Sequence, residues 1–392
     1  MARQAWVTRT VVGIIVATLF SDVGHEMVTA VLPLYLGTLG LGTAALGLME
    51  GAADLAFSLS KLAGGAVGHR VAKKRPWATA GYALTTLGTG LIATTQLLAA
   101  MISFRTAAWF GRGFRSPLRD FLLADEVGPT HFGRAYGLER TADMIGAVIG
   151  PLVAAGLVAL GASFRTVILV SVVPSLVSVI AIGAFTRDRV GVPAPAPAEA
   201  KAPLPRAFWL FTAGVLLFGL GDFSRTFLIV IAALALGGDS QGLVSAIVLL
   251  YAGHNLVSAF AAYPAGKLGD ATSKTRVLIA GYALGVVTNL VFAFGHASLP
   301  LVIVAIALSG IYIAIEETLE KAVVAELLPR AQRSLGLGIL ASANALGDFA
   351  STLFVGLMLE AGHVTAAFAA PAAVGAAGVA WMLVIRARAI VR

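Results

Sequence analysis

The chain has 392 residues, of which 58% are hydrophobic and only 12% charged, against about 25% charged in an ordinary soluble domain. Its mean hydropathy of +0.89 is more apolar surface than a water-soluble fold can hide, so lipid is the expected solvent. Cysteine is absent, which excludes disulfides and thiolate chemistry. The net charge of +8 does not point to nucleic acid, because the basic residues fall between apolar runs rather than along one stripe.

Apolar runs long enough to cross a bilayer occur at roughly 9–37, 42–66, 77–96, 98–120, 134–160, 164–186, 207–235, 240–265, 277–295, 299–322, 333–359 and 364–386. The first resembles a signal peptide, with Arg3 and Arg9 before Val11 to Phe20. It lacks a clean small-residue cleavage site and continues to Gly37, so an uncleaved first span is expected. Basic residues gather in alternate loops: Arg70, Lys73, Lys74 and Arg75; Arg134; Arg187, Arg189, Lys201 and Arg206; Lys274 and Arg276; Arg330 and Arg333; Arg386 and Arg388. On the other side only Arg165 is basic. The positive-inside rule therefore places both termini in the cytoplasm.

Within the first span, Asp22, His25 and Glu26 stand at i, i+3 and i+4 and share one helix face. Each charge at bilayer depth costs about 2.5–3.5 kcal/mol, so such residues are expected to face a cavity or a partner. Further ionisable residues inside spans are Glu50, Asp54, Lys61, Arg105, Arg112, Asp143, Asp222, Arg225, His254, Glu316, Glu317 and Asp348. Spans three, six, nine and twelve carry none in their interiors. Arg115 and Arg119 continue the stripe of Arg105 and Arg112, and are expected at the interface, where their heads reach water. Counted that way, nine buried acids face four bases. Asp222 and Arg225 can pair at i, i+3. Glu139, Arg140, Glu320 and Lys321 suit gate-closing ion pairs.

Val192 to Pro203 is rich in proline and alanine and reads as an extended linker. It divides the chain into a bundle at 1–186, a linker at 187–206 and a bundle at 207–392. The halves repeat at an offset of about 200. Gly81-Tyr82-Ala83-Leu84 recurs as Gly281-Tyr282-Ala283-Leu284, Asp22 matches Asp222, Asp54 matches His254, and Arg134 to Leu138 resembles Arg333 to Leu337.

Two repeated halves of six spans, a long central cytoplasmic loop and both ends inside resemble the major facilitator superfamily over the whole chain. That resemblance implies an all-α integral membrane fold of twelve transmembrane helices in two pseudo-symmetric six-helix bundles. The family's loop motif after span two is similar to Gly65 to Arg75 here, but its acidic position is His69, followed by Arg70, and a glycine is replaced by Ala72. The second half restores the acid as Asp270, in Gly266 to Arg276. Gly146 to Pro151 resembles the Gly-x-x-x-Gly-Pro motif of antiporters in the superfamily. Gly146 and Gly150 allow close helix approach, and Pro151 frees a carbonyl and bends the helix. Arg105 to Asp120 resembles a pattern in a bacterial subgroup of these facilitators.

The resemblance implies alternating access, and no Walker-type loop is present to use ATP. The acid surplus favours a proton-coupled antiporter exporting a small cationic or amphipathic compound, with proton and substrate sites at Asp22, His25, Glu26, Asp54, Arg105, Asp222, Arg225, His254 and Asp348. Gating and motif roles fall to Gly65, His69, Arg70, Arg112, Asp143, Gly146, Gly150, Pro151, Asp270, Glu316 and Glu317. Alternatives are an importer or uniporter of a small polar metabolite, or a divalent-metal exporter, since carboxylate and imidazole ligate divalent ions. A receptor or intramembrane enzyme is disfavoured: no output domain and no nucleophile–base spacing is recognisable. No cofactor, resident metal or nucleic acid is expected. The expected partners are protons, a small-molecule substrate and the bilayer, and the expected state is a monomer in a bacterial inner membrane.

Overall fold

The computed structural model describes residues 6–41, 43–189, 202–223, 227, 231 and 241–388. Arg225, most of the Pro/Ala-rich linker and much of the seventh expected span after Phe223 lie outside the described residues. All regular structure among the described residues is helical, in twelve helices. These are α1 (Arg9–Thr38), α2 (Thr43–Arg70), α3 (Arg75–Ile92), α4 (Leu98–Glu126), α5 (Phe132–Ala159), α6 (Phe164–Phe185), α7 (Arg206–Gly219), α8 (Gln241–Ala271), α9 (Lys274–Gly295), α10 (Leu299–Leu327), α11 (Arg330–Glu360) and α12 (Val364–Ala387). Seven of them are long and apolar enough to cross a membrane by length and composition. In lipid a helix satisfies all its own backbone groups, which is why this composition yields helices and nothing else.

Local sequence sets the ends and bends. Thr8 caps α1 through Val11 N–H, and Ser163 caps α6 through Thr166 N–H. At the opposite ends of α1, α5 and α11 stand Gly40, Gly161 and Gly362, with φ of 73°, 85° and 77°. Each closes its helix with the same bond pair: Gly40 N–H to Gly37 and Leu41 N–H to Leu36, Gly161 to Val158 and Ala162 to Leu157, Gly362 to Leu359 and His363 to Met358. Only glycine takes that left-handed position without strain. α6 is broken at Ser171, four residues after Val167 and just before Pro174, and ends in a π turn over Ala181–Phe185.

Two compact units form. Unit 1 contains Met1–Pro129, Ala142–Ala202 and Pro329–Ser342; unit 2 contains Thr130–Thr141, Pro203–Leu328 and Ala343–Arg392. The opening turns of α5 thus belong to unit 2, and those of α11 to unit 1. In unit 1, α4 packs along both α2 and α3, and α1 packs on α6. In unit 2, α10 packs along α8 and α9, and α12 lies on α9 and α7.

Glycine brings these helices to backbone contact. A Cβ on Gly64 would meet the Phe114 carbonyl at 2.0 Å, and one on Gly113 would meet Phe57 O at 2.3 Å, so α2 and α4 touch main chain to main chain. The apolar helix backs stay exposed. On α3 these are Leu84, Leu87 and Leu91, on α6 Leu169, Val173, Leu176 and Ile180, and on α9 Val287, Leu290 and Phe294. A Gly64→Val substitution puts a branched side chain into the Phe114 carbonyl. The expected result is a loss of at least ~2 kcal/mol of stability, read as a lower thermal-unfolding midpoint of detergent-purified protein, with Gly51→Val as the control because no atom lies within 4 Å of a Cβ there.

Candidate functional site

The polar residues of unit 1 concentrate where α4 faces α1 and α2. Four arginines climb α4, and each finds acceptors on a neighbouring helix or on its own. Arg105 is 1% exposed and holds Glu50 of α2 in a two-pronged bond, Nε to Oε1 at 3.1 Å and Nη2 to Oε2 at 3.2 Å. Its guanidinium lies over the Trp109 ring at 5.3 Å. Arg112 pairs closely with Asp22 of α1 and reaches Asp143 of α5 at 4.0 Å. Arg115 donates to Ser21 Oγ at 2.6 Å and stacks on Tyr82 at 3.6 Å. Arg119 bonds Asp120 at 3.0 Å and Thr18 at 3.4 Å.

Arg115 and Arg119 are 3% and 8% exposed. This corrects the expectation that they reach out to interfacial water. Hydroxyls of α1, the Tyr82 ring of α3 and the Asp120 carboxylate of α4 itself receive the heads, so they stay inside.

His25 is buried with its ring edge-on to Trp109 at 4.9 Å. Glu26 is half-buried, within electrostatic range of Arg112. The Asp22–Glu26 turn is also where α5 touches α1. A Cβ on Gly146 would lie 2.9 Å from Asp22 Cβ, and one on Gly150 would lie 2.7 Å from Glu26 Cβ. The Gly-x-x-x-Gly-Pro segment, with half-buried Pro151 behind it, therefore seats directly on the charged turn.

Unit 2 treats its carboxylates differently. α7 stops at Gly219, where two glycines in Phe218-Gly219-Leu220-Gly221 weaken the helix. Asp222 follows the break. It accepts from its neighbour Phe223 N–H at 2.8 Å and from Tyr312 O–H at 2.7 Å, while Asn289 bonds Gly221 O at 2.7 Å. Glu320 accepts from Tyr282 O–H at 2.5 Å and, with Glu316, from Asn344 at 3.2 and 3.3 Å. The expected ion pair of Glu320 with Lys321 or Arg140 does not form among the described residues. The ion pairs that form there are Arg140–Glu317 at 2.5 Å and Glu139–Lys321 at 3.6 Å. Asp348 Oδ1 lies 3.5 Å from where a Cβ on Gly219 would stand.

The repeat does not carry over into equal environments. Asp22 sits in an unbroken helix against an arginine, whereas Asp222 sits past a helix break against a tyrosine. Asp54 is exposed, whereas its counterpart His254 is fully buried beside Asn255.

The two loop motifs also differ. In unit 2, Asp270 accepts the backbone N–H of Gly133 and Arg134 at 2.8 and 2.9 Å, capping α5, and pairs with Lys274 at 3.3 Å. A Cβ on Gly266 would strike Gly133 O at 1.9 Å. In unit 1, Gly65 and Gly68 meet Ser334 and Gly338 of α11 just as closely. His69 stands in place of the acid. Its Nδ1 lies 3.0 Å from Ala331 O, and a carbonyl can only accept, so Nδ1 carries the proton. Arg70 is exposed. Sequence reasoning missed Asp125, which grips Arg330 through both oxygens, and Asp188, which caps Lys74 and Arg75 N–H. Burial and the charge of Arg330 hold the Lys74 ammonium below the usual lysine range.

The family model of the major facilitator superfamily matches residues 14–250 and 214–391. The chain belongs to the major facilitator superfamily. It is 24% identical over 352 residues to the uncharacterised MFS-type transporter MJ1317 of Methanocaldococcus jannaschii, covering 86% of this chain and 85% of that one. Among solved structures it is similar to the human organic anion transporter MFSD10, with a TM-score of 0.77 at 15% identity, covering 95% of this chain and 99% of that one. The E. coli fucose:proton symporter FucP gives a TM-score of 0.76 at 12% identity, covering 97% of this chain and 99% of that one. As a member of this superfamily the chain is a multi-pass membrane protein of the secondary-transporter class, a class that binds small-molecule substrates.

Replacing Asp270 by Asn keeps one acceptor oxygen and loses the charge that holds two backbone donors. The expected cost is ~1–2 kcal/mol. It is read as faster hydrogen exchange at the amides of residues 133 and 134, with Lys274→Met leaving those amides protected.

Proposed function

We propose that this transporter is a proton antiporter that exports a small cationic or amphipathic compound by alternating access. The halves at 1–186 and 207–392 move about the linker, and the basic loops face the cytoplasm of a bacterial inner membrane. The observation that carries this reading is the Asp22 turn. One guanidinium, Arg112, serves both Asp22 and Asp143, and Gly146 and Gly150 of the antiporter-like motif lie against the same turn.

A proton taken by Asp22 removes the charge that holds Arg112, which then turns to Asp143. Loss of that proton restores the first pairing. Because α5 meets α1 through glycines at that turn, a shift of Asp22 or Glu26 transmits directly into the α1–α5 contact. Arg105 stays neutralised by Glu50. The second set of carboxylates, Asp222, Glu316, Glu320 and Asp348, adds negative potential in unit 2 suited to a cationic cargo.

The fold alone does not select among substrates, since it is shared by an organic anion transporter and a fucose:proton symporter. The test is flux in proteoliposomes carrying an imposed pH gradient, with tetraphenylphosphonium as cargo. Asp22→Asn is expected to abolish gradient-driven transport while leaving downhill exchange. Wild-type coupled flux in both Asp22→Asn and Glu26→Gln overturns the assignment.

A further inference from the structure

The α2 helix has two sides of opposite character. Leu48, Leu55, Leu59 and Leu62 are exposed along one side and suit lipid. Glu50, Asp54, Phe57 and Lys61 recur at intervals of four, three and four residues, about 140° around the helix from those leucines. Between the two, Ala53, Ser60 and Gly64 bury themselves, with Ser60 and Gly64 packed on α4. The polar stripe therefore borders the α2–α4 contact and turns away from the leucine side.

Its members are unequally engaged. Glu50 belongs to Arg105, yet its side chain stays 33% exposed. Asp54 is exposed and makes no hydrogen bond or ion pair among the described residues, although Glu50, Arg105 and Lys61 lie within electrostatic range. Phe57 is half-buried. The Phe57 and Trp109 rings meet at right angles with centroids 5.2 Å apart, and the Lys61 ammonium lies over the Phe57 ring at 4.2 Å. The Lys61 end of the stripe is covered: Gly338 of α11 stands 2.9 Å from Lys61 O, measured from its would-be Cβ, and Gly65 and Gly68 lie beneath α11 as well. The stripe is thus packed against α11 at the Lys61 backbone and exposed at the Asp54 carboxylate.

We propose that Asp54 and Phe57 form the binding subsite for a lipophilic monovalent cation, and that the Lys61 ammonium occupies the ring face until the cargo displaces it. This deepens the antiport reading and rests on it for the charge of the cargo. The chemistry is already present in the fold, because a protein cation sits on that ring. An aromatic face attracts cations more strongly when water is excluded, and the adjacent Asp54 carboxylate, held in no ion pair among the described residues, adds charge. A cargo bearing both a positive centre and apolar substituents gains from both residues. A compact hydrated metal ion gains only from the carboxylate.

The test is equilibrium binding of radiolabelled tetraphenylphosphonium to the full-length purified protein at fixed pH, without a gradient. Asp54→Asn and Phe57→Ala are each expected to weaken binding about tenfold. Lys61→Met is expected to tighten it about threefold, since the competing cation is removed. Leu55→Ala, on the opposite side of α2, is expected to bind as wild type. Asp54 is exposed and unbonded, so its variant keeps the fold, and monodispersity in size-exclusion chromatography checks this. Wild-type affinity in both Asp54→Asn and Phe57→Ala overturns the subsite while leaving proton antiport at Asp22 untouched. Unchanged or weaker binding in Lys61→Met overturns the displacement. Absence of binding by the wild type overturns both the subsite and the cationic cargo.

Discussion

Unit 1 depends on keeping four arginines of one helix inside an apolar environment. A guanidinium cannot give up its charge, so each of Arg105, Arg112, Arg115 and Arg119 needs acceptors within reach. The neighbours of α4 supply them: Glu50 from α2, Asp22, Ser21 and Thr18 from α1, Asp143 from α5 and Asp120 from α4 itself. Glycines at 64, 81, 88, 111 and 113 bring the α2, α3 and α4 backbones close enough for those reaches. The small residues and the charged ones therefore act together.

That neutrality makes one pairing consequential. Arg112 reaches carboxylates on two different helices, Asp22 of α1 and Asp143 of α5, and the glycine pair of α5 rests on the turn that bears one of them. In the proposed antiport, a change in charge at Asp22 would act on a helix–helix contact as well as on an ion pair, which would link a proton to a movement.

Three carboxylates of unit 2 are held by hydroxyls and an amide instead of by arginines. Tyr312, Tyr282 and Asn344 donate to Asp222, Glu320 and Glu316. Similar spacing in the two halves has thus been filled with different chemistry. The loop motifs show the same divergence: Asp270 accepts backbone donors at the start of α5, whereas His69 donates to a carbonyl at the start of α11. Both close a helix crossing built on glycine, but only the first adds a charge to a helix N-terminus.

Much of this was legible in the sequence. Composition excluded a soluble fold, run length and loop charge implied twelve membrane helices, and the repeat with its motifs identified the family. Those features are local or periodic, so a one-dimensional string carries them. The sequence also brought forward Asp22, Arg105, Arg112 and Gly146 as residues that need neighbours. What it could not supply was the neighbours. Whether Arg115 meets water or Ser21, whether Glu320 meets Lys321 or Tyr282, and which acid each arginine takes depend on contacts between residues tens to hundreds of positions apart. Asp125 and Asp188 carried no local signal, because an acid at a helix end reads as an ordinary solvated charge until its distant donors are in place. Sequence determined which residues must be paired. Tertiary structure decided with whom, because only packing fixes the distances on which charge and hydrogen-bond energies depend.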